Sequence, residues 1–384
     1  MNKIEVKVAP TMINWVISQV NLEELSPKVV KYLNDWKEQK KSPTFNQIEA
    51  VSSATGIPLG YFFLDTPPIE DKSIIQCRTI KSVAFNNPSR DLMNTIHDME
   101  MIQDWTREYL ISEGFDALNY VGKFKSNASK IADAIREIIN IETNWQKDLN
   151  GRDPFNYIRN AISESGIIVM VNGIVGTNTH RPLNVDEFRA FTIVDDYAPL
   201  IFVNGNDSKG GKLFSLLHEF AHVCLGENDL YNDRYSIGKN VSQVETICNS
   251  VAAEIIAPQS IFVEKWEISI KHNDQKQTVS ELASDFKCGA TVIARKALDN
   301  KLISSELYEE ISQHAVKMFN EQRKKDKAKK SGGDYYKTLS VRIDKRFLRM
   351  LTTSVAEGKT LYTDAYRLTN TTSKTFERLT NQGR

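Results

Sequence analysis

The sequence predicts an α+β protein, mainly helical, with a small sheet packed on one central helix. Three observations predict it. Apolar residues recur at helical spacing through most of the chain. Strand-like apolar runs are confined to three short stretches between residues 167 and 203. Directly after them stands the stretch 213–225, LFSLLHEFAHVCL, which is apolar nearly all round when wound as a helix. Such a helix is buried, and its few polar side chains need partners.

At 384 residues the chain has room for two or three domains, and 41% hydrophobic with 26% charged residues is ordinary for a soluble globular protein. It has no run of 18 apolar residues and no N-terminal apolar segment, which argues against a spanning helix, a membrane partner or a signal peptide. Cys77, Cys224, Cys248 and Cys288 form no CxxC pair; Cys224 and Cys248 fall in apolar helical patterns, as reduced thiols of a cytoplasmic protein do. The formal net charge is zero but unevenly spread. Residues 321–384 hold 16 Lys/Arg against 7 Asp/Glu, a balance of +9 that leaves −9 on the rest. A basic segment of this kind is more often a solvated face than a contact for an acidic partner or nucleic acid.

Taken in order, residues 14–20, 27–37 and 45–55 have helical spacing, the third after the start signal Ser42-Pro43-Thr44. Gly56-Ile57-Pro58 and the apolar residues 61–64 follow. The order LNDWKEQKKSPTFNQIEAVSSATGIPLGYFF resembles the rear half of Xre-type helix-turn-helix domains, and residues 1–66 are read as an Xre-like helical module. A DNA reader is basic on one face. This segment has seven Lys and eight Asp/Glu through Glu70, so DNA is the less favoured partner and a helical docking or structural module the preferred reading.

Residues 67–91 read as a linker, and 90–110, 128–141 and 154–165 as helices. Residues 167–175, 188–194 and 200–203 are the predicted strands, and 204–211 the polar lead-in to the central helix. Gly226 stops that helix and a polar loop, 227–239, follows. Helices are predicted at 241–257, 282–286, 290–298 and 306–317, with a charged linker at 323–330 and a small helical add-on in 335–383. The domains are accordingly 1–66, 67–305 and 306–384.

On the central helix, with His218 at zero, His222 falls at about 40°, Ser215 at about 60° and Glu219 at about 100°. Two imidazoles at i and i+4 can hold one metal ion with the intervening carboxylate beside it, the HExxH arrangement of zinc hydrolases. Catalytic zinc takes three protein ligands and leaves a position for water. Asn228 stands where a metzincin needs its third histidine, and Glu227 and Asp229 follow the helix-ending glycine. The helix 241–257 offers Glu245 and Glu254 on opposite faces; Glu245 lies within the apolar arc, where a carboxylate needs a cation, and is the chosen ligand. Asn249, one turn on, is placed to orient a ligand. Glu219 is the general base. A substrate segment is expected along an exposed edge strand, 188–194. His180, Arg181, Tyr231 and Tyr235 carry donors that could contact substrate or an oxyanion, though each also reads as a surface or structural residue.

The stretches EFRAFTIVDDYAPLIFVN, FSLLHEFAHVCL and ETICNSVAAEIIAP resemble the ImmA/IrrE family of metallopeptidases over roughly residues 65–305. Cys248 and Val251 replace the alanine and phenylalanine usual in its third motif. The resemblance implies His218, His222 and Glu245 as ligands of Zn2+, and Glu219 as catalytic base. It also implies a protein substrate, a partnered Xre-type repressor or a toxin–antitoxin partner. The competing class is an antitoxin or a DNA- or toxin-binding regulator that uses the protease fold as a scaffold.

Overall fold

A computed structural model of the chain describes residues 5–20, 22, 25–68, 88–125, 127–227, 229–231, 243–328 and 335–381. The chain begins with three short helices, α1 (Pro10–Ser18), α2 (Pro27–Lys37) and α3 (Phe45–Thr55). The first starts four residues before the predicted 14–20, because Pro10 at its first position lacks the N–H that a helix start leaves over. Next come α4 (Arg90–Ser112), α5 (Ala128–Ile138), capped by Asn127, and α6 (Pro154–Glu164), capped by Asp153. The run predicted as one strand over 167–175 divides at Gly173 into β1 (Ile168–Asn172) and β2 (Ile174–Val175). It continues in β3 (Asn178–Pro182), β4 (Ala190–Ile193) and β5 (Leu200–Asn204). The HExxH stretch is α7 (Lys209–Leu225), followed by β6 (Asp229–Tyr231) and α8 (Gln243–Ile256). Then follow α9 (Gln259–Ser269), α10 (Gln275–Asp285), α11 (Ala290–Asp299) and α12 (Ser305–Ala328). The tail is α13 (Tyr335–Arg342), α14 (Lys345–Ala356), α15 (Tyr362–Leu368) and α16 (Ser373–Asn381). The stretch predicted as a charged linker at 323–330 is helical as far as Ala328, since Lys, Arg and Gln are good helix formers. The linker expected at 67–91 falls largely outside the described residues, with Cys77.

Contacts divide the chain into two units, Met1–Met99 with Ile174–Leu183, and Glu100–Gly173 with Asn184–Arg384; the boundary falls inside α4. In the first unit Met12, Val16, Leu33, Trp36, Ile48 and Val51 bury around Phe62. A capping box between Thr44 and Gln47 starts α3, and Gly56 ends it at φ 67°, a left-handed conformation that glycine adopts without strain. The small sheet of this unit is the antiparallel pair β2–β3.

The second unit holds a four-stranded sheet in the order β1-β5-β4-β6, with β1 and β5 parallel and the other pairs antiparallel. Every residue of β4 and β5 is buried, because helices cover what the strands alone would expose. Its core joins the sheet to α5 through α11. Here one expectation is overturned. The strand predicted at 188–194 to offer a free edge is β4, which is interior, paired on one side to β5 and on the other to β6. Among the described residues the outer strands are β6 and β1.

The tail packs on the β1 side. Asp344 caps α14 by accepting from Phe347 N–H at 2.9 Å, while its other oxygen accepts from Val169 N–H of β1 at 3.2 Å. The Val169 carbonyl accepts from Arg159 at 2.8 Å, and the same guanidinium donates to the Val341 carbonyl at 2.5 Å. An edge strand's outward backbone groups are thus occupied by side chains. No single helix among the described residues is long and apolar enough to cross a membrane.

Candidate metal centre

The helix α7 is fixed at both ends before its polar strip is considered. Ser208 caps it, its hydroxyl accepting from Gly211 N–H at 2.9 Å. At the other end Gly226 turns left-handed at φ 77°, and a Cβ there would come within 2.8 Å of Gly122. That close approach lets Gly122 N–H and Phe124 N–H reach the Val223 and Cys224 carbonyls, at 3.1 and 3.2 Å, so last-turn acceptors are not left bare. Tyr120 braces the same helix, its ring edge-on to Phe220 and its hydroxyl donating to the Ser165 carbonyl at 3.0 Å. Between these supports α7 lies on β4 and β5 and against α8.

His218 and Glu219 are fully buried and His222 nearly so. The two imidazole Nε2 atoms are 3.1 Å apart. Glu245, in the first turn of α8, sets one carboxylate oxygen 3.3 Å from His218 Nε2 and the other 3.1 Å from His222 Nε2. A nitrogen or oxygen from each of the three lies within 4.8 Å of the others, so together they could hold a metal ion. Three lone-pair donors aimed at one buried point are costly without a cation between them. Burial raises the Glu245 carboxyl, but hydrogen bonds from His218 and His222 outweigh it and hold the group well below the usual carboxylate range. Two imidazoles and one carboxylate suit zinc.

Glu254 is committed elsewhere. Its carboxylate is 2.8 Å from Lys296 Nζ and accepts from Gln259 N–H, which closes the turn between α8 and α9. Asn249 is half-buried one turn beyond Glu245, and among the described residues it makes no side-chain hydrogen bond to the three. Glu227 is exposed past the end of α7.

The buried carboxylate of Glu219 accepts a hydrogen bond from Thr192 Oγ1, at 2.6 Å. Thr192 was not among the residues singled out from the sequence. Its signal is a lone hydroxyl in the apolar run AFTI of β4, all of it buried, since a buried hydroxyl needs a partner.

The remaining candidates are not gathered here by any described contact. Arg181 and His180 belong to β3 of the first unit. There Arg181 is buried and ion-paired at 2.6 Å with Asp91, whereas His180 is exposed. Tyr231 ends β6, and Tyr235 lies outside the described residues. Burial pushes the Cys224 thiol far up and that of Cys288 to about 12, so neither offers a free thiolate near neutral pH.

Against known proteins, residues 169–298 match the family model described as IrrE N-terminal-like domain, a peptidase family, and residues 343–382 match a domain of unknown function (DUF8813). The first match runs from β1 to α11 and contains all of His218, Glu219, His222 and Glu245. Comparison with curated proteins gives no match.

Proposed function

We propose that this chain, whose residues 169–298 match the IrrE N-terminal-like domain of a peptidase family, is a zinc-dependent endopeptidase. The observation that carries the reading is the meeting of two imidazoles and the Glu245 carboxylate at one buried point beside Glu219. His218, His222 and Glu245 hold the ion. Zinc so held supplies a Lewis acid that polarises a carbonyl and lowers the pKa of water. Glu219 takes a proton from the attacking water and passes it to the leaving amine.

The substrate is a protein, and by the resemblance of the three motifs a partnered Xre-type repressor or a toxin–antitoxin partner. With β4 interior, the outer strand β6, on the side of the sheet away from β1, is the docking edge proposed for a substrate segment.

The test is zinc-loaded protein against a proteome-derived peptide library, with cleaved termini read by mass spectrometry. Wild type is expected to cut and Glu219→Gln to keep zinc without cutting. A Glu219→Gln protein that cuts as fast as wild type overturns the reading, as does a wild type that binds no zinc.

A further inference from the structure

We infer that Thr192 is a positioning residue for Glu219, holding one oxygen of that carboxylate so that proton transfer falls to the other. The inference rests on the proposed peptidase reading and deepens it. Thr192 is fully buried on β4, an interior strand, with its backbone set between Ile201 of β5 and Asp229 of β6. Its neighbours along the strand, Ala190, Phe191 and Ile193, are buried and apolar.

A threonine in a strand has few χ1 choices, so the direction of its hydroxyl follows from the register of the sheet. The single hydroxyl proton has two acceptors in reach on Glu219. The carboxylate oxygen Oε2 is at 2.6 Å and the backbone carbonyl at 3.4 Å. The first separation is that of a hydroxyl bonded to an ionised carboxylate; the second is too long to compete. The proton therefore points at Oε2, which fixes the rotation of the carboxylate and keeps that oxygen an acceptor.

A valine would fill the same volume without the cost of burying a hydroxyl, so packing gives no reason for threonine here. Helix α7 supplies Glu219 and the sheet supplies its orientation. The base is thus held by two elements whose relation the whole domain core maintains, whereas a base held by its own helix alone would keep its rotamer freedom.

Zinc-loaded full-length wild type, Thr192→Val, Thr192→Ser and Glu219→Gln are titrated with acetohydroxamic acid by calorimetry, and their zinc affinities measured in parallel. A hydroxamate chelates zinc and shares its proton with the neighbouring base, so its affinity reads where the Glu219 carboxylate stands. Thr192→Val is expected to bind it about tenfold more weakly with zinc affinity unchanged, in the range typical of losing an orienting partner. Thr192→Ser, which keeps the hydroxyl, should stay within about twofold of wild type. In the Glu219→Gln background the valine change should add nothing, because the two residues act as a unit.

A packing role predicts the reverse order, valine like wild type and serine weakened, and that result overturns the inference. So does equal weakening by both. Should the valine protein not fold, Thr192→Ala takes its place, since it too removes the hydroxyl. The peptide-library assay separates the two claims. A wild type that cuts no peptide sinks the peptidase reading while the hydroxamate series still decides Thr192. A wild type that cuts, with valine indistinguishable from it in both assays, sinks Thr192 alone.

Discussion

Glu219 and Glu245 carry the same functional group into one site, and the protein holds them in opposite ways. Glu219 sits in mid-helix, fully buried, with a hydroxyl from an interior strand pinning one oxygen. Glu245 sits in the first turn of α8 with its side chain 22% exposed, and meets the imidazoles of the other helix through both oxygens. The N-terminus of a helix favours negative charge, so α8 holds Glu245 as a carboxylate without burying it completely. A group that transfers protons must stand in one place, whereas a metal ligand is fixed by the ion it binds. The different supports match the different work proposed for the two acids.

The sharpest way to break that comparison is to neutralise each acid in turn. Glu245→Gln is expected to lose zinc affinity by on the order of a hundredfold or more, and cleavage with it, since it removes a ligand and not merely a ligand's partner. Zinc at about 100 times its Kd should stabilise wild type by about 2.7 kcal/mol, and at the same concentration should stabilise the glutamine protein little. Thermal unfolding with zinc and with a chelator measures both. Glu219→Gln should instead keep the zinc-dependent stabilisation and lose about 10²–10⁴-fold in cleavage rate. If the two variants lose metal equally, the division of labour is wrong.

How far the sequence made this visible depends on the span of each contact. His218, Glu219 and His222 share a strip because the helical repeat puts them there, and their order in the chain suffices. The choice of Glu245 over Glu254 needed only the apolar arc of one helix, and the ion pair of Glu254 with Lys296 accords with it. Thr192 was not legible. Its relation to Glu219 depends on how β4 lies under α7, 27 residues apart, and no local period encodes that. The edge of the sheet was misplaced for a similar reason: β6 is three residues long, in a stretch whose composition reads as loop, so β4 seemed unpaired. The fold class was legible because it needs only periods. The anchoring of the tail was not, for the Asp344 contact with Val169 spans 175 residues.

That anchor gives the next test, on the side of the sheet away from β6. Asp344 is buried and serves two donors, the first turn of α14 and an outward N–H of β1. Asp344→Ala removes a helix cap and leaves a buried N–H without its acceptor, at a cost of about 1–3 kcal/mol in urea unfolding. Asp344→Asn, which keeps an oxygen for Phe347 N–H, should recover part of it. Zinc affinity should not change, because β5 separates β1 from the strand that carries Thr192. A fall in zinc affinity in Asp344→Ala would mean that the sheet transmits the loss, and that Glu219 and Glu245 are less independent than their supports imply.

The smallest effect belongs to Tyr120, which braces the Glu219 helix through Phe220. Its hydroxyl titrates at about 12 instead of 10.0, chiefly because burial disfavours the phenolate. Below pH 10 the side chain is neutral in both the folded and unfolded chain, and its contribution is fully present. As pH rises through 10 the unfolded chain gives up the proton first, so stability is lost progressively until about 12, where the folded protein ionises too. Tyr120→Phe has no such proton. It should cost about 1 kcal/mol at neutral pH through the lost bond to Ser165, and then lose less than wild type between pH 10 and 12. Urea midpoints of the two proteins at pH 8, 10.5 and 11.5 read this as a narrowing gap, with the other tyrosines and the lysines common to both. A gap that stays constant across that range would place the Tyr120 hydroxyl in contact with water, and would remove one of the supports that set the Glu219 helix apart from α8.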